Sequence, residues 1–261
     1  MKLALEGRHA LVCGASEGIG LAAAMALAEL GADVTVLARR QERLDEVLAV
    51  LPRNGGQAHG SVSADVGDGP ALRAKIEALA AAKPVHILVN NTAGPPGGPA
   101  HAAMPEQYLA VFRQHLVANQ ILVQSVLAGM KSAGWGRIVN VISTSVKEPI
   151  ANLGVSNTIR GAVASWAKTL SGELGPFGIT VNNVLPGYTR TQRLEQILAE
   201  RATATGKPPA EIAAAMLATV PAGRFAEAGE IAAAIAFLCT PQAAYINGIN
   251  LPVDGGRTRS L

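Results

Sequence analysis

Residues 9–31 read HALVCGASEGIGLAAAMALAELG. The opening "HALVCG" (9–14) is a short apolar run without polar alternation, the pattern of a strand buried on both faces of a parallel sheet. "GIGLAAAMALAELG" (18–31) is alanine-rich and closed by Gly31, the pattern of a helix with a glycine stop. Between them, Gly14, Gly18 and Gly20 let the backbone turn sharply and approach a ligand. A helix that begins there offers unpaired N–H groups and the positive end of its dipole. Strand, glycine turn and helix in that order point to a dinucleotide pyrophosphate cradled by Gly14, Ser16, Glu17, Gly18, Ile19 and Gly20.

The alternation continues outward. "DVTVLAR" (33–39), "AHGSVSAD" (58–65), "HILVNN" (86–91), "GRIVNVIS" (136–143) and "GITVNNVLPG" (178–187) read as further strands. Between them, "QERLDEVLAVL", stopped by Pro52, and stretches near 70–82, 105–133 and 153–175 read as helices. Strands and helices in strict turn predict βαβ units and an α/β fold on a parallel sheet. No repeat, low-complexity linker or break in composition divides the chain, so 1–261 reads as one domain. Residues 190–222 stand apart as two helices around a Gly-Lys-Pro-Pro turn, inserted before the final helix–strand pair. At the carboxyl edge of the sheet, where ligands bind, they read as a helical lid over the substrate.

Composition narrows the function classes. Of 261 residues 49% are apolar, but only four Phe, three Tyr and two Trp occur, so the core must be aliphatic. A formal charge of +3, with no block of like charges and no basic–aromatic interleaving, argues against a nucleic-acid partner. The longest apolar run is broken by Glu29, short of the ~20 residues a bilayer needs, so a cytoplasmic protein without a membrane partner is expected. Cys13 and Cys239 are expected to be buried free thiols. The five histidines lie singly, without the close pairing of a metal site, so no metal is expected.

At the end of the second strand "LARRQER" places Arg39 and Arg40 where a carboxylate would take a ribose 2′-hydroxyl. Guanidinium forks suit a 2′-phosphate instead, which favours NADP(H) over NAD(H).

These motifs resemble, over nearly the whole chain, the short-chain dehydrogenase/reductase family. The glycines match, Asp65-Val66 stands where the family contacts adenine, and "LVNNTAG" resembles its Asn-Asn-Ala-Gly motif. Thr92 is an extra residue there, leaving Asn90 or Asn91 as the structural asparagine. "GRIVNVIS" brings Ser143 to the catalytic serine position. "LPGYTRT" supplies Pro186, Gly187, Thr189 and, for the nicotinamide carboxamide, Thr191. The resemblance implies a single-domain Rossmann-type doubly wound sheet of about seven strands. It also implies a homotetramer joined through the helices at 105–133 and 153–175, or else a homodimer, and a small carbonyl or alcohol substrate.

The family's catalytic group is Asn, Ser, Tyr and Lys. Thirteen residues after Ser143 stands Ser156, and four later Arg160, in place of tyrosine and lysine. His115 falls at the asparagine position, with Asn119 one turn on. A serine hydroxyl is far less acidic than a phenol and shorter, while arginine keeps its proton. Arg160 can still hydrogen-bond the cofactor's ribose. Proton delivery would then fall to His115, Tyr188 or water, with Ser143 polarising the carbonyl. Two readings follow: an NADP(H)-dependent carbonyl reductase or alcohol dehydrogenase with an atypical site, or a catalytically inactive NADP(H)-binding sensor or scaffold.

Overall fold

The computed structural model describes residues 5–260. In chain order the elements are β1 (His9–Cys13), α1 (Gly18–Glu29), β2 (Asp33–Ala38), α2 (Gln41–Val50), β3 (Gly60–Ser63) and α3 (Gly69–Ala82). There follow β4 (Ile87–Asn90), α4 (Pro105–Phe112), α5 (Ala118–Ser132), β5 (Gly136–Val141), α6 (Gly154–Leu174) and β6 (Ile179–Pro186). The chain closes with β7 (Thr189–Arg190), α7 (Gln192–Thr205), α8 (Pro209–Leu217), β8 (Ala226–Glu227), α9 (Ala228–Cys239) and β9 (Asn250–Val253).

Seven parallel strands form one sheet in the order β3-β2-β1-β4-β5-β6-β9. The order reverses between β1 and β4, which opens a crevice at their carboxyl ends. β1, β4 and β5 are buried along their whole length, as their unbroken apolar runs require. α1 and α9 cover one face together with Val34, Val36, Val139 and Val184. The alanines at 23, 24, 28, 232 and 236 let both helices lie close to the strands. α3 and α5 close the other face over Leu72, Ile76, Leu122, Val126 and Met130. Cys13 and Cys239 are free and fully buried, and burial pushes both thiols up to about 12.

The sheet contains an amide ladder. Asn90 Nδ2 donates to Asn140 Oδ1 at 2.8 Å, Asn140 Nδ2 to Asn183 Oδ1 at 2.9 Å, and Asn183 Nδ2 to Asn250 Oδ1 at 2.8 Å. The four residues are directly opposite one another across β4, β5, β6 and β9.

Three details differ from the sequence reading. The long helix expected at 105–133 is interrupted by a π turn, Arg113–Val117, between α4 and α5. Widening one turn swings the side chain at 115 inward, and such bulges gather at functional sites. The strand expected at 58–65 shrinks to Gly60–Ser63, half-buried at the sheet edge. Residues 190–222 do contain two helices, but a two-residue parallel ladder, β7 with β8, pins their base.

Candidate active site

The glycine turn has the shape of a phosphate cradle. Gly14 has φ +59°, and a Cβ there would stand 2.4 Å from the Asn91 carbonyl oxygen. A Cβ on Gly20 would stand 2.1 Å from the Gly14 carbonyl oxygen, so neither position admits a side chain. Ser16 is half-buried and Glu17 exposed in the turn, while Ile19 packs into the core beneath it. Glu17 caps α1 without a side-chain hydrogen bond, which leaves the first-turn N–H groups facing the crevice. The two asparagines divide their work. Asn91 Nδ2 donates to the Gly14 carbonyl at 3.3 Å, whereas Asn90 belongs to the amide ladder.

Arg39 and Arg40 follow β2, are exposed, and form no ion pair among the described residues. Asp65, exposed after β3, accepts from Gly67 N at 2.8 Å, with Val66 half-buried beside it. Gly187 is pressed against Asp254, where a Cβ would sit 2.7 Å from Cα, and its carbonyl accepts from Thr189 Oγ1 at 3.1 Å. Pro186 ends β6, and Thr191 Cγ2 would lie 3.2 Å from a Cβ on Gly18. The two halves of the expected cofactor site therefore face each other across the crevice.

His115 is 3% exposed on the π turn, and its Nδ1 lies 2.7 Å from Thr92 Oγ1. Its Nε2 is buried without a hydrogen-bond partner. Burial first, and then the positive charge of Arg160, push the imidazole down to about 3, so it is neutral at physiological pH. Arg160, 9% exposed on α6, donates from Nη1 to the Val141 carbonyl at 3.1 Å. Burial and the charge of Arg193 lower it to about 10. Ser156 lies one turn before Arg160 and is half-buried. Ser143 follows β5, and its Oγ accepts from Ser145 N at 3.1 Å, which leaves its proton free to donate. Asn119 is buried with Oδ1 unpartnered.

Tyr188 follows β6, and the Arg257 guanidinium over its ring also donates to Thr144 Oγ1 at 3.3 Å, next to Ser143. The tyrosine ring packs edge-on against Phe225 at 6.2 Å and under Arg257 at 4.8 Å, among Leu194, Ile212 and Met216. Its hydroxyl makes no hydrogen bond among the described residues. Asn157, another polar group on α6, holds the Ile150 backbone from both sides.

Sequence reasoning passed over two residues. Thr92 was only the extra residue of "NNTAG", yet it is the partner that fixes His115. Arg193, in the first turn of α7, reaches across the crevice to donate to the Pro95 carbonyl at 2.7 Å. Beside it Gln192, with its amide nitrogen turned inward, donates to both Glu17 carboxylate oxygens at 2.8 and 3.0 Å. α7 thus bridges the glycine turn and the loop at 91–99. That loop is itself clamped to the entry of α6, with Gly98 N donating to the Asn152 carbonyl at 2.7 Å and Gly154 N to the Gly98 carbonyl at 2.9 Å. Among the described residues no group of three metal-ligating side chains converges, and no helix is long and apolar enough to cross a membrane.

Comparison with known proteins agrees with this architecture. A family model described as enoyl-(acyl carrier protein) reductase matches residues 14–258. The 3-oxoacyl-[acyl-carrier-protein] reductase FabG of Vibrio cholerae is 36% identical over 255 residues, covering 97% of this chain and 98% of that protein. Gluconate 5-dehydrogenase of Gluconobacter oxydans is 32% identical over 263 residues, covering 98% of this chain and 97% of its own. Among solved structures, L-sorbose reductase from Gluconobacter frateurii complexed with NADPH and L-sorbose superimposes with a TM-score of 0.93. It is 28% identical and covers all of both chains. YwfH, an NADPH-dependent reductase involved in bacilysin biosynthesis, gives 0.91 at 27% identity over 97% of this chain and 99% of that one. With a family model spanning nearly the whole chain and relatives above 30% identity end to end, the chain belongs to the short-chain dehydrogenase/reductase family.

Proposed function

We propose that the protein is an NADP(H)-dependent oxidoreductase that interconverts a carbonyl and an alcohol without the family's tyrosine and lysine. The observation that carries this reading is the cradle at Gly14 and Gly20, where any Cβ would strike backbone within 2.4 Å. A turn that forbids side chains beside a helix N-terminus suits a pyrophosphate. Arg39 and Arg40, exposed and without ion pairs among the described residues, fit the 2′-phosphate, and the relatives named for NADPH support the same preference. Asp65 and Val66 would border the adenine, and Asn91, Pro186, Gly187, Thr189 and Thr191 the nicotinamide half. Arg160 would donate to the ribose hydroxyls.

The bound nicotinamide supplies hydride chemistry. The chain's own residues do the rest. Ser143 Oγ donates a hydrogen bond to the substrate oxygen, and Arg160 holds a fixed positive charge where negative charge develops there. His115, being neutral, does not act as an imidazolium acid. Its Nδ1 holds the Thr92 hydroxyl in place, and water supplies the proton that the substrate oxygen takes up. Tyr188 shapes the floor of the lid, which α7 and α8 form over the crevice. Leu109, Phe112 and Val117 are exposed on α4 and the π turn and support assembly of the tetramer through that face.

Titration of NADPH and NADH by nicotinamide fluorescence, then a panel of carbonyls read at the nicotinamide absorbance, tests the reading. Tighter NADPH binding is expected, with turnover falling ~10-fold or more in Ser143→Ala at unchanged NADPH affinity. Absence of NADPH binding overturns the reading. Binding without turnover of any carbonyl replaces it with that of an NADP(H)-binding sensor.

A further inference from the structure

Arg160 and Arg193 converge on Gly94 from two separate elements. A Cβ at Gly94 would lie 3.7 Å from Arg160 Nη2, 3.9 Å from Arg193 Nε and 4.0 Å from Arg193 Nη2. Arg160 rises from α6 and is more than nine-tenths buried, with one hydrogen bond, to the Val141 carbonyl. Among the described residues it forms no ion pair. Arg193 descends from the first turn of α7 and spends Nη2 on the Pro95 carbonyl. Its nearest carboxylate, Glu200, stands 3.9 Å away and is itself half exposed. Two like charges in a crevice, one of them buried and uncompensated, are costly to hold together unless an anion joins them. Guanidinium forks match a carboxylate in two parallel hydrogen bonds.

The position of the pair separates it from the cofactor's phosphates. The pyrophosphate cradle follows β1, and the cations suited to a 2′-phosphate follow β2. Gly94 lies beyond β4, and Arg160 is anchored at the end of β5, the strand that also leads to Ser143. The pair therefore lies on the β4–β5 side of the switch point, with Arg160 anchored to the carbonyl of Val141, two residues before Ser143.

We propose that Arg193 and Arg160 form an anion subsite, and that the substrate is an oxo acid whose carboxylate is gripped by the Arg193 fork while its carbonyl faces Ser143. The substrate class rests on the oxidoreductase reading above. Because Arg193 is carried by α7, an entering carboxylate also ties the lid to the loop at 91–99.

The probes are 2-oxobutanoate, 3-oxobutanoate and 4-oxopentanoate, each paired with its neutral carboxamide. Equilibrium binding is measured by calorimetry on the NADP⁺-loaded protein, where no turnover can occur. At least one carboxylate is expected to bind ~10- to 100-fold tighter than its amide. Arg193→Gln should abolish that preference without altering amide binding or NADPH affinity, and Arg193→Lys should restore part of it, since charge returns without the fork. Equal binding of carboxylate and amide overturns the proposal. So does an Arg193→Gln variant whose NADPH affinity falls while its carboxylate preference survives, because the arginine then serves the cofactor. If NADP(H) does not bind, the oxidoreductase reading fails alone. The same titrations on the cofactor-free protein then decide the anion subsite, with preference lost in Arg193→Gln supporting it and no preference refuting it.

Discussion

The buried imidazole of His115 makes acid a selective denaturant of this protein. Its folded-state value of about 3 lies well below the ordinary 6.5, because burial and the neighbouring Arg160 disfavour the charged ring. Above 6.5 the ring is neutral in both folded and unfolded chains and contributes no pH dependence. Below 6.5 the unfolded chain binds a proton that the folded chain refuses, so stability falls steadily as the pH drops towards 3. At pH 5 the unfolded chain sits 1.5 pH units below its own value, which costs ~2 kcal/mol. His115→Asn removes the titrating group while keeping a polar side chain for Thr92. Urea unfolding at pH 7.5 and pH 5 measures the difference. The native protein should lose ~2 kcal/mol more than the variant over that interval. His9 and His86 are also held below their ordinary values by burial, but they persist in both proteins and cancel. Equal losses in the two proteins would mean that His115 is solvated and titrates normally, and would remove the argument that it stays neutral in the site.

Two further outcomes are expected. Replacing Arg39 and Arg40 together with alanine should weaken NADPH binding ~10- to 100-fold while leaving NADH nearly unchanged, as fluorescence titration with each nucleotide will show. Asn140→Ala strands the donor of Asn90 and the acceptor of Asn183 in a fully buried site. It should cost ~2–6 kcal/mol in urea unfolding, at ~1–3 kcal/mol per unsatisfied group, and a loss below 1 kcal/mol would show that water replaces the amide.

What the sequence disclosed was local. The strand–helix alternation and the glycine turn follow from hydrophobic period and backbone freedom within some twenty residues, and both stand in the structure. Arg160 and Ser156 were legible by counting from Ser143. His115 was legible as a residue near the site but not as a neutral one, because its titration depends on burial and on a cation 45 positions further along α6. Nor did any pattern announce the π turn that aims it inward. Arg193 was invisible for a similar reason: its partner, Pro95, is 98 residues away. Tyr188, named from its place after Pro186-Gly187, has its ring engaged by Phe225 and Arg257, contacts that no local spacing encodes.

The asparagine ladder ties the sheet to the order in which the chain is made. All three of its bonds donate in one direction, from Asn90 towards Asn250, and the last joins residues 67 apart. On a ribosome, β4, β5 and β6 can pair long before β9 has emerged, yet Asn183 has no acceptor until Asn250 arrives. A one-residue slip of any of these strands would turn its amide to the opposite face and break the chain of bonds. The C-terminal strand thus acts as an inspector of assembly: it completes the row only where the earlier strands have already settled in register. Truncation before residue 250 should therefore yield a chain that collapses but exchanges its β4–β6 amide protons quickly, a defect that hydrogen exchange on stalled or truncated products would reveal.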